Sequence, residues 1–374
     1  PFFAATYIPK ETQYGRVGLL EILPRVKSLW QKKRADVLSV ASEITQLVQQ
    51  PIIGNTKDLG EEILHRAYRS LSTSFDRTFG GFGQAPKFPS PHNFFFLLRY
   101  WRRTGEVEAL RMVEDTLQNM RYGGIFDQIG FGFHRYSTDT RWIVPHFEKM
   151  LYDQALMAMA FIELYQATGK NKYEISAREI FTYVLRDMTD DHGGFYCAED
   201  ADSEGVEGKF YLWTKKEIHN VLTQNEADLF LSYYRHDSGT SMQGMQEIPD
   251  GYFIPHLNSS SIGDAEDGVT GLFREMEGIR NKLFAVREKR VRPHKDDKIL
   301  TDWNGLMIAA LARGAQVFDE PTYSDTALRA MNFISQSLQT KEGRLLHRFR
   351  DGQGSIPANI DDYSFMVWAL LELY

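Results

Sequence analysis

Apolar positions along this chain recur with the three-and-four spacing of helices, and the helices they predict come in pairs. NFFFLLRYWRRTGEVEALRMVEDTLQNM reads as an apolar helix, a short turn and a second, amphipathic helix, running into the glycine-aromatic segment GGIFDQ. The pattern returns in FEKMLYDQALMAMAFIELYQATGKNKYEISAREIFTYVLRDM, which ends in HGGFY, and again in WNGLMIAALARGAQVFDEPTYSDTALRAMNFISQSL, which ends in EGRLLHRF. DDYSFMVWALLELY opens a fourth unit. Helix pairs closed by loops on one side build an open solenoid or a closed ring. Long, irregular loops favour the ring, which gathers them around one mouth.

The remaining segments read differently. PFFAATYIP is a strand-like run closed by Pro9, and a helix is expected from about Leu19 to Gln49, with Leu20, Leu23, Val26, Leu29 and Trp30 on its first apolar face. Pro51 to Asp58, with Gly54 and Asn55, reads as a linker. Between the second and third helix pairs lie FYLWTKKEIHNVL, where Thr214 and Glu217 form a capping box, and a Gly/Ser-rich stretch from about Ser238 to Gly268. A further helix is expected over about Leu272 to Arg290.

Composition narrows the class. At 374 residues, 43% hydrophobic and 25% charged, the chain has the material for a sizeable core. A formal charge of -7 argues against nucleic acid, which demands a basic face. The apolar run around Leu306 to Ala312 is far too short to span a membrane, and no secretory signal is expected. Cys197 is the single cysteine, so no intrachain disulfide forms; a reducing, cytoplasmic compartment is expected. Its acidic neighbours mark the thiol as inert. The chain begins at Pro1 and stops inside a helical pattern at Tyr374, which reads as an excerpt of a longer protein.

The candidate chemistry is concentrated in GGIFDQIGFGFHRYSTDTRWIVPHFEKMLYD, Gly123 to Asp153, where glycines and Pro145 make much of the span loop. Three further loops stand at equivalent places, Gly80 to Pro89, Gly193 to Tyr211 and Arg292 to Gly305, and Asp361, Asp362 and Tyr363 start another. In a ring these converge into one pocket suited to a polyhydroxylated ligand. His134 or His146 could take a proton as a neutral imidazole, with Arg135 holding an oxyanion. Trp142 and Trp213 would stack on a sugar ring, while Asp127, Glu199 and Asp200 would bind hydroxyls. Glycoside hydrolysis would instead use two facing carboxylates among Asp127, Glu199, Asp296, Asp297 and Asp302. Tyr136, Glu148, Tyr152, Asp202, Trp303, Asn304 and Asp362 complete the expected lining. DADSEG imitates the start of a calcium loop, but Tyr211 stands where the twelfth-position Glu belongs. His134, His146, His192 and His294 lack zinc-ligand spacing, so neither metal nor cofactor is expected.

The motifs GGFGQAPKFP, FHRYSTDTRWIVPHFEKMLYDQA, GGFYCAEDADSEGVEGKFYLWT and DDKILTDWNGLMIAAL together resemble the YyaL-like (spermatogenesis-associated protein 20-like) family. That resemblance implies a mainly α fold: an (α/α)6 toroid similar to six-hairpin glycosidases and N-acylglucosamine 2-epimerases, preceded by a thioredoxin-like α/β domain. Residues 1–50 would be the tail of that domain, 51–58 a linker and 59–374 a toroid incomplete at its C-terminus. The CxxC-bearing half of the thioredoxin-like domain would be a partner in the longer protein. Phe131 and Cys197 stand where the family more often has Gly and Ser. Three functions stay open: a sugar epimerase or isomerase, a hydrolase with paired carboxylates, and a non-catalytic module presenting a ligand to the thioredoxin-like domain.

Overall fold

In a computed structural model, the chain is described at residues 8–12, 17–49, 60–235, 248–257 and 266–374. It divides into two units, Pro1–Ile63 and Leu64–Tyr374. The linker read at Pro51 to Asp58, most of PFFAATYIP and much of the Gly/Ser-rich stretch lie outside the described residues.

In the first unit the single helix expected from Leu19 to Gln49 is two, α1 (Leu19–Lys32) and α2 (Arg34–Gln49). The break falls at Lys33, whose φ of -135° and ψ of 36° leave the helical region. Lys32, Lys33 and Arg34 are all exposed, so no packing holds the helix straight there. Cations at this point also favour the negative end of α1. Arg34 stacks back over Trp30 across the break, 4.6 Å from the ring centre.

The second unit contains α3 (Glu62–Ser74, from its third residue on), α4 (Pro91–Thr104), α5 (Val107–Tyr122), α6 (Leu151–Thr168) and α7 (Asn171–Asp187). An insertion carries α8 (Lys215–Val221), α9 (Gln224–Tyr233), α10 (Glu266–Glu275) and α11 (Glu277–Arg287). The chain returns through α12 (Thr301–Phe318), α13 (Pro321–Ser337) and α14 (Ile360–Leu373). The first helices of the pairs form one row, with α4 against α6, α6 against α12 and α12 against α14. Their partners α5, α7 and α13 pack behind them as a second row. This is the layering of an α/α toroid, and the mainly α class expected from the repeat holds.

Why the row sits where it does follows from its residues. α6 and α12 are apolar nearly all round, with Met157, Ala158, Met159 and Ala160, and likewise Met307, Ile308, Ala309 and Ala310, fully buried. The small alanines let neighbouring helices approach closely, and one continuous core runs from Phe94 on α4 to Ala369 on α14. Three helices of the row are stopped by a residue in the left-handed region: Gly105 after α4, Gly169 after α6 and Asp319 after α12. The insertion has its own core around Trp213, Phe230, Tyr234 and Leu283. Its α8 opens on the expected Thr214–Glu217 capping box. The helix expected over Leu272 to Arg290 is α10 plus α11, interrupted at Met276, whose side chain is buried in that core.

The loops at the N-terminal ends of the row are stitched together by short backbone pairings. Lys149–Met150, Ala198–Glu199 and Lys295–Asp296 form one three-stranded sheet with Ala198–Glu199 in the middle. Lys87 bridges to Ser137, joining the first loop to the second. Ile299–Leu300 pairs with Arg348–Phe349, joining the fourth loop, Arg292 to Gly305, to the hairpin that precedes α14. The convergence expected of a ring is therefore present along this arc.

At Gly169, φ is 72° and the space a Cβ would enter is open, so the cost of a side chain there is backbone strain alone. Gly169→Ala should lose about 1–2 kcal/mol of stability. Asp319→Gly, at the equivalent stop where φ is 51°, should lose nothing. Thermal unfolding of the two variants beside wild type checks the pair.

Candidate functional site

Under the stitched loops lies a sealed ionic cluster. Asp127, 6% exposed, accepts from the main-chain N–H of Ile129 (3.1 Å) and Gly130 (3.0 Å), from Lys149 Nζ (2.9 Å) and from both terminal nitrogens of Arg287 (2.8 and 2.9 Å). Burial alone would raise its pKa, but the Arg287 and Lys149 charges hold it well below the usual carboxylate range. Gly130 is required here, because a Cβ would stand 1.8 Å from an Arg287 nitrogen. Lys149 lies over the rings of Tyr183 (4.4 Å) and Tyr211 (4.9 Å). Tyr183 donates its hydroxyl to Glu199 (2.6 Å), which also faces Arg292 at 3.3 Å.

His134 belongs to this sealed layer. It is 1% exposed, its Nδ1 lies 3.0 Å from the Phe147 carbonyl, and its ring stands edge-on to Tyr211 and Phe147. Burial, reinforced by Lys149, pushes its pKa well down, so the ring is neutral yet out of reach of a ligand. Asp127, His134 and Glu199, expected as catalytic groups, therefore sit in the dry foundation of the loops.

Several expected binding residues are closed off too. Trp142 is fully buried and donates its indole N–H to the Phe79 carbonyl at 2.9 Å. Trp213 is fully buried with Arg290 stacked 4.2 Å above its ring. Neither offers an open face to a sugar. Asn304 is spent on the main chain of Phe195 and Leu300. Asp296 is paired with Lys298 at 2.8 Å and Asp297 with Arg350 at 2.9 Å. Asp200 and Asp202, by contrast, are exposed on the acidic loop, and Asp202 lies near enough to Glu207, His146 and Glu148 for their charges to act on its carboxyl. Cys197 is buried, and burial together with Asp296 pushes its thiol up to about 12, which keeps it inert.

The remaining candidates form a half-open row along the rim. Arg135 donates to Glu148 (2.7 Å), Glu148 lies 3.2 Å from His146 Nε2, and His146 Nδ1 lies 2.6 Å from Glu207. Tyr136 stacks on His146 with ring centres 5.1 Å apart, and Phe88 packs on Tyr136 at 4.8 Å. Arg135 also faces Tyr152, whose ring meets Trp303 edge-on at 4.8 Å. Beyond Trp303 the row ends in Asp302, Asp362 and His347. The Asp302 N–H donates to Asp362 Oδ1 (3.0 Å), and His347 Nδ1 lies 3.0 Å from the same oxygen. Asp362 is fully buried and also accepts from the Asn359 N–H, capping α14.

Four residues of consequence were not among the site residues expected from the sequence. Glu207 was one acid among five in its loop, and Arg287 lies in a helix with no motif. His347 sits in EGRLLHRF, at the place in its unit where the other units carry their loops, and that equivalence could have found it. Asp153, in the first turn of α6, is 5% exposed with Oδ2 unpartnered. Burial raises its pKa well above the ordinary aspartate value.

For a metal, Asp302, His347 and Asp362 bring ligand-type atoms within 4.8 Å of one another. Each Asp362 oxygen is, however, already an acceptor of main-chain N–H groups, which makes the group a hydrogen-bonded array. A groove of about 640 Å³ between Arg99, Trp101, Glu163 and Arg313 lies at the opposite, C-terminal ends of the row and contains none of the expected residues. No described helix is long and apolar enough to cross a membrane.

Paired helix rows with a loop-built rim define a protein of the α/α toroid class. The family resemblance read from the motifs holds as well: this chain is a relative of spermatogenesis-associated protein 20. It is 33% identical to that protein from Homo sapiens, across 100% of this chain and 52% of the human protein, so it spans about half the length of the curated relatives it matches. Residues 1–49 match the Thioredox_DsbH family, described as a protein of unknown function, DUF255. Among solved structures, cellobiose 2-epimerase from Spirochaeta thermophila DSM 6192 is similar at 15% identity and TM-score 0.33, over 83% of this chain and 96% of that one. Unsaturated glucuronyl hydrolase from Bacillus sp. GL1 is similar at 11% identity and TM-score 0.43, over 75% of this chain and 53% of that one.

The two layers respond differently to perturbation. Asp127→Asn leaves Arg287 and Lys149 buried without their anion and should cost about 3–5 kcal/mol in unfolding free energy. At the rim, burial alone would lower His146, but hydrogen bonds to Glu148 and Glu207 raise it to about 9. Glu148 is held near 2 by His146 and then Arg135, against its burial. A raised imidazole contributes fully below its ordinary value of 6.5 and loses that contribution as pH climbs through about 9. The lowered Glu148 works in the other direction, contributing above 4.5 and losing it as pH falls toward 2. Wild type should therefore exceed His146→Gln by about 2 kcal/mol near pH 6, and the gap should close above about pH 9. Denaturant unfolding across that pH range measures it.

Proposed function

We propose that the rim binds a polyhydroxylated, sugar-like small molecule and interconverts it by proton transfer, as an epimerase or isomerase would. The observation that carries this reading is the half-open row itself. Charged groups in mutual hydrogen bonds, Arg135, Glu148, His146 and Glu207, alternate with the aromatic faces of Tyr136, Tyr152 and Trp303. Aromatic faces take the apolar side of a sugar ring, and bidentate or charged groups take its hydroxyls. His146, cationic between two carboxylates, serves as a binding group or acid.

Hydrolysis by paired carboxylates is disfavoured because four of its five candidates, Asp127, Glu199, Asp296 and Asp297, are held by Arg287, Tyr183, Lys298 and Arg350. Asp127 and Glu199 are spent on Arg287, Lys149 and Tyr183, so neither is free to face a glycosidic bond. The cytoplasmic setting, the absence of a cofactor and work alongside the rest of a thioredoxin-like domain belong to the same proposal.

A thermal-shift series with reducing hexoses, their phosphates and a disaccharide tests the binding step. A ligand at about one hundred times its Kd should add roughly 2.7 kcal/mol to stability. The shift should disappear in Trp303→Ala while the unliganded protein still unfolds cooperatively. A response confined to peptides would reject the sugar reading in favour of a presenting module.

A further inference from the structure

We infer that His347, held by Asp362 and paired with Asp302, is the proton-transfer base of the rim, acting on a reducing sugar in its open carbonyl form. This rests on the sugar reading above and assigns its chemistry to a histidine outside the set expected from sequence.

Geometry separates the candidates. His134 is sealed, and both ring nitrogens of His146 are committed to carboxylates at 2.6 and 3.2 Å. His347 has only Nδ1 committed, at 3.0 and 3.1 Å from the two oxygens of Asp362. Its Nε2 has no hydrogen-bond partner among the described residues, and 24% of the side chain is exposed. A buried carboxylate on Nδ1 fixes the tautomer with the proton there, so Nε2 presents its lone pair outward. Asp362 cannot swing away, because the N–H groups of Asp302 and Asn359 hold it from two helix starts. Asp302 stands beside it, half-buried; its Oδ1 accepts the Trp303 N–H and its other oxygen has no partner among the described residues. Burial, and then the nearby Asp362 charge, raise the Asp302 carboxyl against the hydrogen bond from Trp303, which suits a group that lends a proton. Trp303, next in sequence, reaches Tyr152 and supplies the aromatic wall.

The step balances within these residues. His347 Nε2 takes the proton from the carbon next to the carbonyl, and that C–H electron pair becomes the carbon–carbon double bond. The carbonyl oxygen takes the Asp302 proton, giving a neutral enediol, an imidazolium and a carboxylate. Return of the His347 proton to the neighbouring carbon, with a hydroxyl proton passing back to Asp302, gives the aldose–ketose isomer and restores both groups. A single base works on one face of the enediol, so isomerisation and exchange with solvent are its signatures.

The test is deuterium wash-in in D2O, followed by NMR, at C2 of D-glucose and D-mannose and at C1 of D-fructose. Wild type should exchange. His347→Ala should be slower by about 10²-fold, with the sugar-induced thermal shift kept and exchange partly restored by added imidazole. His347→Gln provides the same comparison should the alanine variant fail to fold. Asp362→Asn, a change at a positioning residue, should lower kcat with KM little changed. Wild type that binds a sugar by thermal shift yet exchanges none of the three overturns the base assignment and leaves the binding reading intact. Neither binding nor exchange overturns both. Wild-type rates in both His347 variants, or loss on chelation with recovery on added Mn2+ or Zn2+, would also overturn the assignment, the latter in favour of a metal at these three residues.

Discussion

The arrangement of the loops depends on one buried carboxylate. Asp127 draws two cations together from different directions, Lys149 at the entrance to α6 and Arg287 in the last turn of α11. A buried charge is tolerated only when paired and hydrogen-bonded on every side, and Asp127 meets that requirement with five donors. Lys149 does double service, since its main chain is an outer strand of the three-stranded sheet that stitches the loops. The insertion is tied to the helix rows by the same contact, because Arg287 reaches Asp127 only past a glycine at position 130. Rim geometry is thus set by electrostatics one layer below it.

That division also explains why the rim can carry charge. Each helix of the row presents its N-terminus there, and Asp153, Asp302, Asp361 and Asp362 lie in first turns, where acids complement the helix dipole. An acid in a first turn is therefore no sign of chemistry by itself. Asp362 differs because a histidine faces it, and Asp302 differs because it shares that histidine's surroundings without a cation of its own.

The helix pairs were legible because apolar periodicity and left-handed stops at Gly105 and Gly169 punctuate them. The breaks at Lys33 and Met276 were not, since each interrupts a run that stays periodic on both sides. At the site, the meeting of the loops was legible from their repeated position, but side-chain direction was not. Trp142 and Trp213 were read by residue type as sugar platforms. Their neighbours decide otherwise: Phe79 lies 63 residues before Trp142, and Arg290 covers Trp213 from the far side of the insertion. Asp127 and Glu199 were likewise read as reactive, because nothing in a loop sequence announces that Arg287 will arrive from 160 residues away.

The three histidines of this region show how partner number, not residue type, divides the work. His134 donates its Nδ1–H to one carbonyl inside the sealed layer and has no route to a ligand. His146 has a route, but a carboxylate on each nitrogen turns it into a fixed cation, suited to holding an anionic or hydroxylated group and unsuited to taking a proton. His347 has one carboxylate and one uncommitted nitrogen, the arrangement that orients an imidazole while leaving it able to accept. Glu207 lies 61 residues from His146, while Asp362 lies 15 residues from His347 across a single hairpin. The shorter connection makes the His347 pair a local product of the third and fourth units. The His146 pair, by contrast, depends on the acidic loop folding back, so the two histidines can be altered independently, and a rim that lost one would keep the geometry of the other.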